Sequence, residues 1–555
     1  MIPRQRFQKV GRPISFAVDP VPDFLDKVIN ERLHGAEVQA LAGWVAASKS
    51  CSIGSVCAGT DCPVDVSRQV LEAVCRSTGV PMPKFEHRFS FENNRLKRKF
   101  LHELHPDMEM MYGDAMDLPS GCSYDYKQQK RVKIPAVQKL KAGFPCTDVS
   151  SLNPASQNHR EVVSSGSLRT GGVFQAILRY AAACKDTLQS VTLENVTALL
   201  APPRRKKGMG HSNATACIRG LEKIGLCTHL FQLDPSTMFG VPVSRPRVFF
   251  LAVPKKKIKG VMSNSEYHLM LTDIMQRLVG HPMVDLDEFL LQENSVPIQE
   301  YYAMLQADLE LQRGNVDQAM IAQGGYHDTY PRGLAGARES AGRSGRHCDG
   351  PVPAKTKWVG EHSSLLENVV DGVSMTLVNT NTISDELTAM YPGLLDLTAR
   401  ELDVLQMSKV AFPERRKVTV ELSQALMRTR VKHGQTATVT PKMRRYLAHR
   451  CRFAHGVEAM NLQCLRFGGG KRLAKAHSSP PALLQDLAGN AFNALCDAAS
   501  EMALNIVLAV VHRRRLQALV PPRLLPLSAP DIGLDDTWTD LWVPEDDTQG
   551  APEVD

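Results

Sequence analysis

The sequence predicts an α/β protein whose main domain is a doubly wound sheet with helices on its faces. Between residues 51 and 254, short apolar runs alternate with stretches of helical periodicity, the pattern typical of such a sheet. Apolar residues make up 43% of the chain, as in a globular protein. A length of 555 residues is too great for one simple core and favours two domains with extensions.

The elements follow from the order of these runs. Strands are predicted at 53–58, 85–91, 141–144, 190–196 and 248–253. Helices are predicted at 64–76, 93–104, 172–188 and 214–224, and helical character returns at 483–515. In an open sheet of this kind, ligands bind in the crevice at the carboxyl ends of the strands.

The remaining sequence divides into flanking segments. We predict an N-terminal extension with one or two amphipathic helices at 1–50 and an irregular region at 255–480. A helical segment follows at 481–516, and an acidic, disordered tail at 517–555. The irregular region holds a Gly/Arg-rich stretch at 324–350, which predicts a long loop or a disordered insert. A stretch rich in lysine and arginine follows at 409–452 and is a candidate for contacts with backbone phosphates.

Charge and cysteine content restrict the class of protein. The net charge is +8, and the acidic tail makes the rest of the chain more basic, which permits a polyanionic partner. The 13 cysteines include no C-x-x-C pair, which argues against a zinc ribbon and against a secreted disulfide framework. We therefore predict no metal. The apolar stretch at 502–511 is too short for a membrane span, and the chain does not open on a signal peptide, so we expect an intracellular protein without a membrane partner.

Cys146 is the first candidate for chemistry. It follows Phe144 and Pro145 where a predicted strand gives way to a hydroxyl-rich loop. A catalytic thiol must ionise and be partly exposed, and a strand-to-loop junction in a sheet crevice provides both conditions. The alternative is a buried core cysteine.

A carboxylate and two guanidinium groups follow at later strand ends. Glu194 ends an apolar strand, where its carboxylate can contact a ring nitrogen; the alternative is a helix cap formed by Asn195. Arg245 and Arg247 open the next strand two residues apart, so we expect them on one face. Together they could clamp a carboxylate, a base carbonyl or a phosphate, and the alternative is an exposed strand start.

In this order, these residues resemble the cytosine-5 methyltransferase family. The resemblance implies a Rossmann-like S-adenosylmethionine-dependent methyltransferase domain at 51–254 and an irregular, mixed target-recognition region at 255–480. The last matching segment, 487–491, is called the final motif below, and the resemblance implies that it folds back onto the cofactor domain. Five segments carry the likeness: Phe144-Pro145-Cys146, Leu193-Glu194-Asn195-Val196, 240–249, 397–406 and 487–491.

The cofactor loop is less similar to the family pattern. Gly59 is retained and allows a ligand to approach the backbone closely. Cys57 stands in place of an aromatic residue, and Asp61 replaces a glycine. The resemblance implies that Glu92 binds ribose hydroxyls and that Asp114 belongs to the adenine-contacting Gly-Asp, whereas the alternative for both is a solvated strand end. The full implied S-adenosylmethionine site comprises Ala58, Gly59, Glu92, Asp114, Pro145, Asn490 and Ala491.

The implied activity is DNA cytosine-5 methylation. A cytosine is flipped out of duplex DNA, Cys146 attacks carbon 6, and Glu194 holds ring nitrogen 3 and the exocyclic amine. Arg245 and Arg247 position the base and the loop, and carbon 5 takes the methyl group from S-adenosylmethionine.

Two alternatives stay open. One is an RNA (tRNA) cytosine-5 methyltransferase. The other is a catalytically silent nucleic-acid-binding regulatory paralogue, which the altered loop at 57–62 favours. Nuclear localisation is expected from the implied function and from basic runs at 204–207 and 255–259.

Overall fold

The computed structural model describes residues 14–15, 19–153, 155–156, 159, 161–202, 211–307, 401, 417–423, 431–466, 474–475 and 477–519. The predicted insert at 324–350 and the basic run at 204–207 lie outside these residues. So do the segment at 397–406, apart from Glu401, and the tail from residue 520 onward.

A mixed sheet forms the centre of the molecule. Within the described residues its strands are β1 Ser50–Val56, β2 Lys84–Phe91, β3 Met110–Tyr112, β4 Cys122–Asp125, β5 Lys130–Lys133, β6 Lys139–Ala142, β7 Ser190–Val196, β8 Leu226–Leu233 and β9 Arg247–Pro254. Their spatial order is β5-β4-β3-β2-β1-β6-β7-β9-β8. The five central strands, from β3 to β7, are parallel, whereas β9 runs antiparallel to both β7 and β8. This is the predicted α/β, Rossmann-like fold.

Helices cover both faces of the sheet and build the flanking regions. Those described are α1 Pro20–Lys27, α2 Gly35–Ala47, α3 Cys62–Thr78, α4 Arg95–Leu104, α5 Val162–Ser165, α6 Leu168–Ala183, α7 Asn213–Lys223, α8 Pro235–Met238, α9 Lys255–Ile258, α10 Asn264–Leu278, α11 Gly456–Asn461, α12 Pro481–Asn490 and α13 Ala494–Leu519. A π-helical turn at Val28–Arg32 and 3₁₀ turns at Ala115–Ser120, Thr197–Leu200 and Leu286–Phe289 complete the set.

All five predicted strands exist, but two of them end earlier than predicted. β1 ends at Val56, so Cys57 and Ala58 begin the loop, and Cys57 adopts a left-handed backbone with φ 56°. β6 ends at Ala142, so Phe144 belongs to the loop that carries Cys146. Both loops therefore start at the carboxyl edge of the sheet, on neighbouring parallel strands. This is the edge where an open α/β sheet binds its ligands.

The segment predicted as an N-terminal extension belongs to the main core. Phe24 and Leu25 of α1 and Leu41 of α2 are at most 1% exposed. They join the same apolar cluster as α3 and α13. An amphipathic helix gains most of its stability by burying its apolar face, and here that face lies against the catalytic domain.

The long final helix is tied to the sheet by buried charges. Lys139 and Lys141 alternate along β6, and both are 1% exposed. The Lys141 ammonium lies 2.9 Å from the Asp497 carboxylate and 3.0 Å from that of Glu501. Lys139 contacts Glu501 as well, and lies 2.9 Å from the side-chain oxygen of Asn505. Unpaired charges at this depth would be very costly, so the two acids on α13 are what permits two lysines in a buried strand.

The helical stretch Pro481–Leu519 is also long and apolar enough to span a membrane. However, 94% of its most apolar window is buried inside the protein. Packing against the sheet and the N-terminal helices accounts for this apolar character.

The region at 255–480 is more regular than predicted in its described parts. α10 is a complete helix, and a smaller antiparallel sheet has the order β11-β10-β12-β13. Its strands are β10 Val418–Glu421, β11 Val431–His433, β12 Arg445–Leu447 and β13 Arg452–Phe453. A parallel bridge between Val243 and Thr436 joins this sheet to the segment before β9.

Part of the predicted phosphate-binding stretch has an internal role. Arg452 is fully buried, and its guanidinium donates to Glu458 at 2.8 and 2.9 Å and to Glu293 at 3.0 and 3.1 Å. Arg445 is 3% exposed and donates to the carbonyl of Ala437. These two cations are not available to a polyanion, which corrects the prediction at both positions.

Candidate active site

The loop after β6 holds Cys146 in a fixed turn. The Cys146 carbonyl accepts hydrogen bonds from the backbone N–H groups of Val149 at 3.1 Å and Ser150 at 2.8 Å. The side-chain amide of Asn195 donates to the Phe144 carbonyl at 2.8 Å and so connects this loop to the end of β7. The thiol of Cys146 is half-buried, and Pro145 beside it is also half-buried.

The final motif packs against the same loop through an aromatic ring. A Cβ on Gly143 would lie 2.8 Å from the ring of Phe492, so a side chain at residue 143 would displace that ring. Phe492 is 4% exposed and makes an edge contact with Phe249 of β9 at 5.9 Å between centroids. Sequence reasoning missed Phe492, although an aromatic residue directly after Gly-Asn-Ala was a visible signal.

Glu194 and Arg247 form an ion pair because of the strand register. Arg247 lies opposite Val196 in the antiparallel pair of β7 and β9, which makes it a diagonal neighbour of Glu194 on the same face. The Arg247 Nε lies 3.1 Å from Glu194 Oε1. Glu194 is only 8% exposed, so its carboxylate lies inside the crevice, and the N-cap of the 3₁₀ turn that follows is Val196 rather than Asn195.

Burial and charge together set the protonation of the nucleophile and the carboxylate. Burial raises the pKa of the Cys146 thiol; the Arg247 charge opposes this rise, Glu194 adds to it, and Arg245 opposes it. Burial also raises the pKa of Glu194, against the lowering effect of Arg247 and Arg245. A carboxyl group that holds a proton more readily than usual is suited to share that proton with a ring nitrogen.

Arg245 is not at an exposed strand start, and its guanidinium is occupied by the backbone. β9 begins at Arg247, so Arg245 precedes the strand. The Arg245 guanidinium is 3% exposed and donates to three backbone carbonyls: Val439 at 2.5 Å, Gly489 at 3.1 Å and Ala491 at 2.9 Å. Arg245 therefore joins the small sheet and the final motif to the active-site edge. It is a positioning residue, and sequence could not show this because its partners lie far along the chain.

The cofactor loop adopts the conformation that its glycine allows. Gly59 has φ 59°, and a Cβ there would lie 3.5 Å from the carbonyl oxygen of Asn490. The loop after β1 and the final motif are therefore in contact, as the resemblance implies. Asn490 itself directs its side-chain amide to Asp486, and Ala491 offers its carbonyl to Arg245. Ala58 is 8% exposed, and its N–H donates to the Phe91 carbonyl at 3.0 Å.

Glu92 and Asp114 have different surroundings. Glu92 is 7% exposed and accepts from the N–H groups of Gly59 at 3.2 Å and Asn94 at 2.8 Å, so it is not a solvated strand end. A carboxylate can accept about four hydrogen bonds, which leaves capacity for the two hydroxyls of a ribose. Asp114 is half-exposed, caps a 3₁₀ turn and lies 3.6 Å from Arg169. The backbone of Gly59 and the free acceptor capacity of Glu92 therefore fit the ribose of S-adenosylmethionine, whereas the contacts of Asp114 do not test its implied role at the adenine.

Asp61 is built into the core beneath the loop. It has φ 54°, and its carboxylate is fully buried. The Ser90 hydroxyl donates to Asp61 at 2.6 Å, and the Ser55 hydroxyl donates to its other oxygen. The residue that replaces a family glycine is thus stabilised in a left-handed conformation by buried side chains of β1 and β2.

A comparison with known families agrees with this geometry. The family model for C-5 cytosine-specific DNA methylase matches residues 84–339, a range that includes Cys146, Glu194, Arg245 and Arg247. Residues 84–339 therefore match the C-5 cytosine-specific DNA methylase family, whose members use S-adenosylmethionine as the methyl donor. No curated protein gives a significant match to the sequence.

Solved structures that match this chain include several methyltransferases. The Dnmt2 methyltransferase of S. pombe has 9% identity, a TM-score of 0.35 and coverage of 84% of this chain and 99% of its own. A triple mutant of DNMT2 from Spodoptera frugiperda has 11% identity, a TM-score of 0.36 and coverage of 82% and 99%. A putative DNA modification methyltransferase encoded within an E. coli prophage has 11% identity, a TM-score of 0.37 and coverage of 83% and 99%. The family assignment rests on the sequence match over residues 84–339.

Proposed function

We propose that this chain is a DNA cytosine-5 methyltransferase that works through a covalent adduct on Cys146. The single observation that supports this most is the assembly at the carboxyl edge of the sheet. The half-buried thiol of Cys146 lies there beside the Glu194–Arg247 ion pair, and the two charges act on its pKa in opposite directions. The matched family is described as acting on DNA, which supports DNA as the substrate over RNA.

The residues act in sequence on a cytosine that has left the base stack. The Cys146 thiolate adds to carbon 6 of the ring, forming the sulfur–carbon bond and moving the ring's electrons toward carbon 5 and nitrogen 3. Glu194 shares its proton with nitrogen 3 and so stabilises the negative charge that develops there. Arg247 holds Glu194 in place through the 3.1 Å contact. When bound, S-adenosylmethionine supplies the methyl group for carbon 5. Loss of the proton on carbon 5 then expels the Cys146 thiolate and restores the ring.

The cofactor-side residues have a binding role in this scheme. Glu92 would hold the ribose hydroxyls, and Gly59 would let the backbone approach the ligand closely. Arg245 holds the final motif near Gly59 and Phe492 near Gly143 through its bonds to backbone carbonyls. The two halves of the site are thereby kept at one edge of the sheet.

The test is an adduct assay with a mechanism-based substrate. The purified chain is incubated with S-adenosylmethionine and either duplex DNA or structured RNA containing 5-fluorocytosine, because fluorine at carbon 5 cannot leave as a proton. We expect a denaturation-resistant adduct with DNA in the natural chain and none in Cys146→Ser. Cys122→Ser is the matched control, since Cys122 is an exposed cysteine on β4.

Each outcome decides between the substrates. An adduct with RNA alone would replace the proposal by an RNA cytosine-5 methyltransferase. No adduct with either nucleic acid, alongside measurable nucleic-acid binding, would favour a silent regulatory paralogue. Nuclear localisation is part of the same proposal, supported by the basic run at 255–259, and imaging of a fluorescent fusion with and without those lysines tests it.

A further inference from the structure

Three potential metal ligands meet beside the cofactor loop. One ring nitrogen of His87, one of His105 and one carboxylate oxygen of Asp107 lie within 4.8 Å of one another. His87 is on β2, and His105 follows the last residue of α4. Both histidines are at most 2% exposed, whereas Asp107 reaches solvent and gives the cluster an entry path.

Hydrogen bonds fix which nitrogen of His87 holds the proton. Ser90 donates its hydroxyl proton to Asp61 at 2.6 Å. The His87 Nε2 lies 2.8 Å from that same hydroxyl oxygen, so Nε2 must be the donor. In the neutral ring, Nδ1 then has a lone pair. Nδ1 is buried and has no hydrogen-bond partner among the described residues, and a buried acceptor without a partner calls for an explanation.

The same reasoning applies to His105. Its Nε2 lies 3.3 Å from the backbone carbonyl oxygen of Thr60, which can only accept. Nε2 therefore carries a proton, and in the neutral ring Nδ1 has the lone pair; Nδ1 lies 3.8 Å from the Asp65 carboxylate. The two imidazole rings meet edge to face with centroids 5.5 Å apart. Each buried histidine thus gives its Nε2–H to the protein and retains Nδ1.

We propose that His87, His105 and Asp107 bind a divalent transition-metal ion, with Zn²⁺ as the first candidate. Two imidazoles and one carboxylate form a ligand set that suits Zn²⁺. Metal-binding histidines almost always donate their other ring N–H to a carboxylate, a carbonyl or a water. His87 makes this contact through Ser90 and Asp61, and His105 makes it with the Thr60 carbonyl. Metal binding is independent of the substrate assigned above.

Arg68 competes for the carboxylate in this structure. Its guanidinium contacts Asp107 and lies over the ring of Phe85. A metal ion would replace that positive charge as the partner of Asp107. Removing the guanidinium should therefore strengthen metal binding. The test then includes one variant with higher metal affinity and others with lower metal affinity.

The position of the cluster links a bound ion to the cofactor loop. His105 holds the carbonyl of Thr60, and His87 reaches Asp61 through Ser90, so both ligands are bonded to the loop that carries Gly59. An ion that fixes both rings would restrict this loop and reduce the ordering that S-adenosyl ligands must impose on it. We expect Zn²⁺ loading to raise the affinity for S-adenosylhomocysteine.

The experiment measures metal affinity directly. The full chain is treated with chelator, titrated with Zn²⁺ against a chromophoric competitor, and assayed for bound metal after desalting. We compare the natural chain with His105→Ala, Asp107→Asn and Arg68→Met. His102→Ala is the matched control, because His102 is exposed on the adjacent helix. Zinc bound by cysteines is common to all these chains and cancels in the comparison.

We expect the loss of one equivalent of tight metal, or a fall in affinity of about tenfold or more, in His105→Ala and Asp107→Asn. Affinity should be unchanged in His102→Ala and higher in Arg68→Met. Asp107 is exposed, so its substitution keeps the test valid if His105→Ala does not fold. Equal metal content and affinity in the natural chain, His105→Ala and Asp107→Asn would overturn the proposal.

Discussion

The nucleophile half and the cofactor half of the crevice are built on neighbouring parallel strands, β6 and β1, but they follow different rules. Around Cys146, Phe144-Pro145-Cys146 matches the family pattern although Thr147 departs from it, and the contacts are mainly local hydrogen bonds and one strand-to-strand ion pair. Around Gly59, two family positions have changed, and buried polar side chains of β1 and β2 support the altered loop. The loop around Cys146 largely retains the family residues. The loop around Gly59 does not, and its backbone conformation is stabilised by hydrogen bonds from Ser55 and Ser90 to Asp61.

The buried charges below the nucleophile half should give the largest effect. Replacing Lys141 by Met leaves Asp497 buried without its main counter-charge, and we expect a loss of about 3–5 kcal/mol in the free energy of unfolding at neutral pH. Chemical denaturation checks this value. The double variant Lys141→Met/Asp497→Leu should recover much of the loss, because it removes both charges.

The pH dependence of that variant has a definite sign. Burial raises the pKa of Asp497 to about 6, despite the lowering effect of Lys141. Without Lys141 the pKa rises further, so protonation below pH 6 neutralises the acid, and the loss should shrink at pH 5. A loss that grows toward pH 5 would contradict this account of the cluster.

Glu194→Gln tests whether the nucleophile half acts separately from cofactor binding. The amide keeps the shape but cannot donate an acid proton to ring nitrogen 3, so we expect turnover to fall by about 10²–10³-fold. Calorimetry with S-adenosylhomocysteine should show an unchanged Kd. A parallel loss of cofactor affinity would mean that the two halves are coupled through the Glu194–Arg247 pair.

Restoring the family glycine tests the cofactor half. In Asp61→Gly, the hydroxyls of Ser55 and Ser90 lose their buried acceptor, which costs about 1–3 kcal/mol. Glycine adopts the left-handed φ without strain, but this gain offsets only a fraction of the lost free energy of unfolding. We expect a net loss of stability in thermal unfolding. Asp61→Asn is the control, because asparagine retains an acceptor oxygen and tolerates positive φ. A glycine variant more stable than the natural chain would contradict the conclusion that hydrogen bonds to Asp61 stabilise the altered loop.

The smallest expected effect is a shift of a pH profile. Burial raises the pKa of Cys146, so the rate of adduct formation should rise with pH as the thiolate forms. Arg247 opposes that rise, and Arg247→Met should move the profile to higher pH by about one unit. Arg179→Met, which removes an exposed arginine of α6, is the control. A profile that is unmoved or moves to lower pH would remove Arg247 from the activation of the thiol.

Sequence periodicity predicted four of the five central parallel strands, β1, β2, β6 and β7, because they are mostly apolar, continuous and bounded by loops; the three-residue β3 was too short to be recognised. It misplaced β6, predicting 141–144 where the strand is Lys139–Ala142. Lys139 and Lys141 look like solvent-facing residues until their partners on α13 are known. β5 was missed for a related reason, since three of its four residues are charged. Charged residues within a strand, whether buried as in β6 or exposed as in β5, prevent its prediction from hydrophobicity alone.

The site was predicted to the extent that its residues lie at or just beyond the ends of recognisable strands. Cys146, Glu194 and Arg247 lie at strand ends, and their order along the chain was sufficient to bring them together. The contacts of Arg245 with the final motif were not predicted, because its carbonyl partners belong to residues 439, 489 and 491. The cluster of His87, His105 and Asp107 was not predicted, because no ligand spacing typical of a metal motif connects its members.

The ion cluster between β6 and α13 also has a consequence for the order in which the protein is made. Lys139 and Glu501 are 362 residues apart in sequence. During synthesis, β6 therefore leaves the ribosome long before Asp497 and Glu501, the acids on α13 that pair with its lysines. A nascent chain that stops short of residue 497 has two lysines at the centre of its sheet and no acids to pair them. We infer that the sheet is fully stabilised only after α13 has been synthesised, and protease sensitivity of stalled chains of graded length would reveal that step.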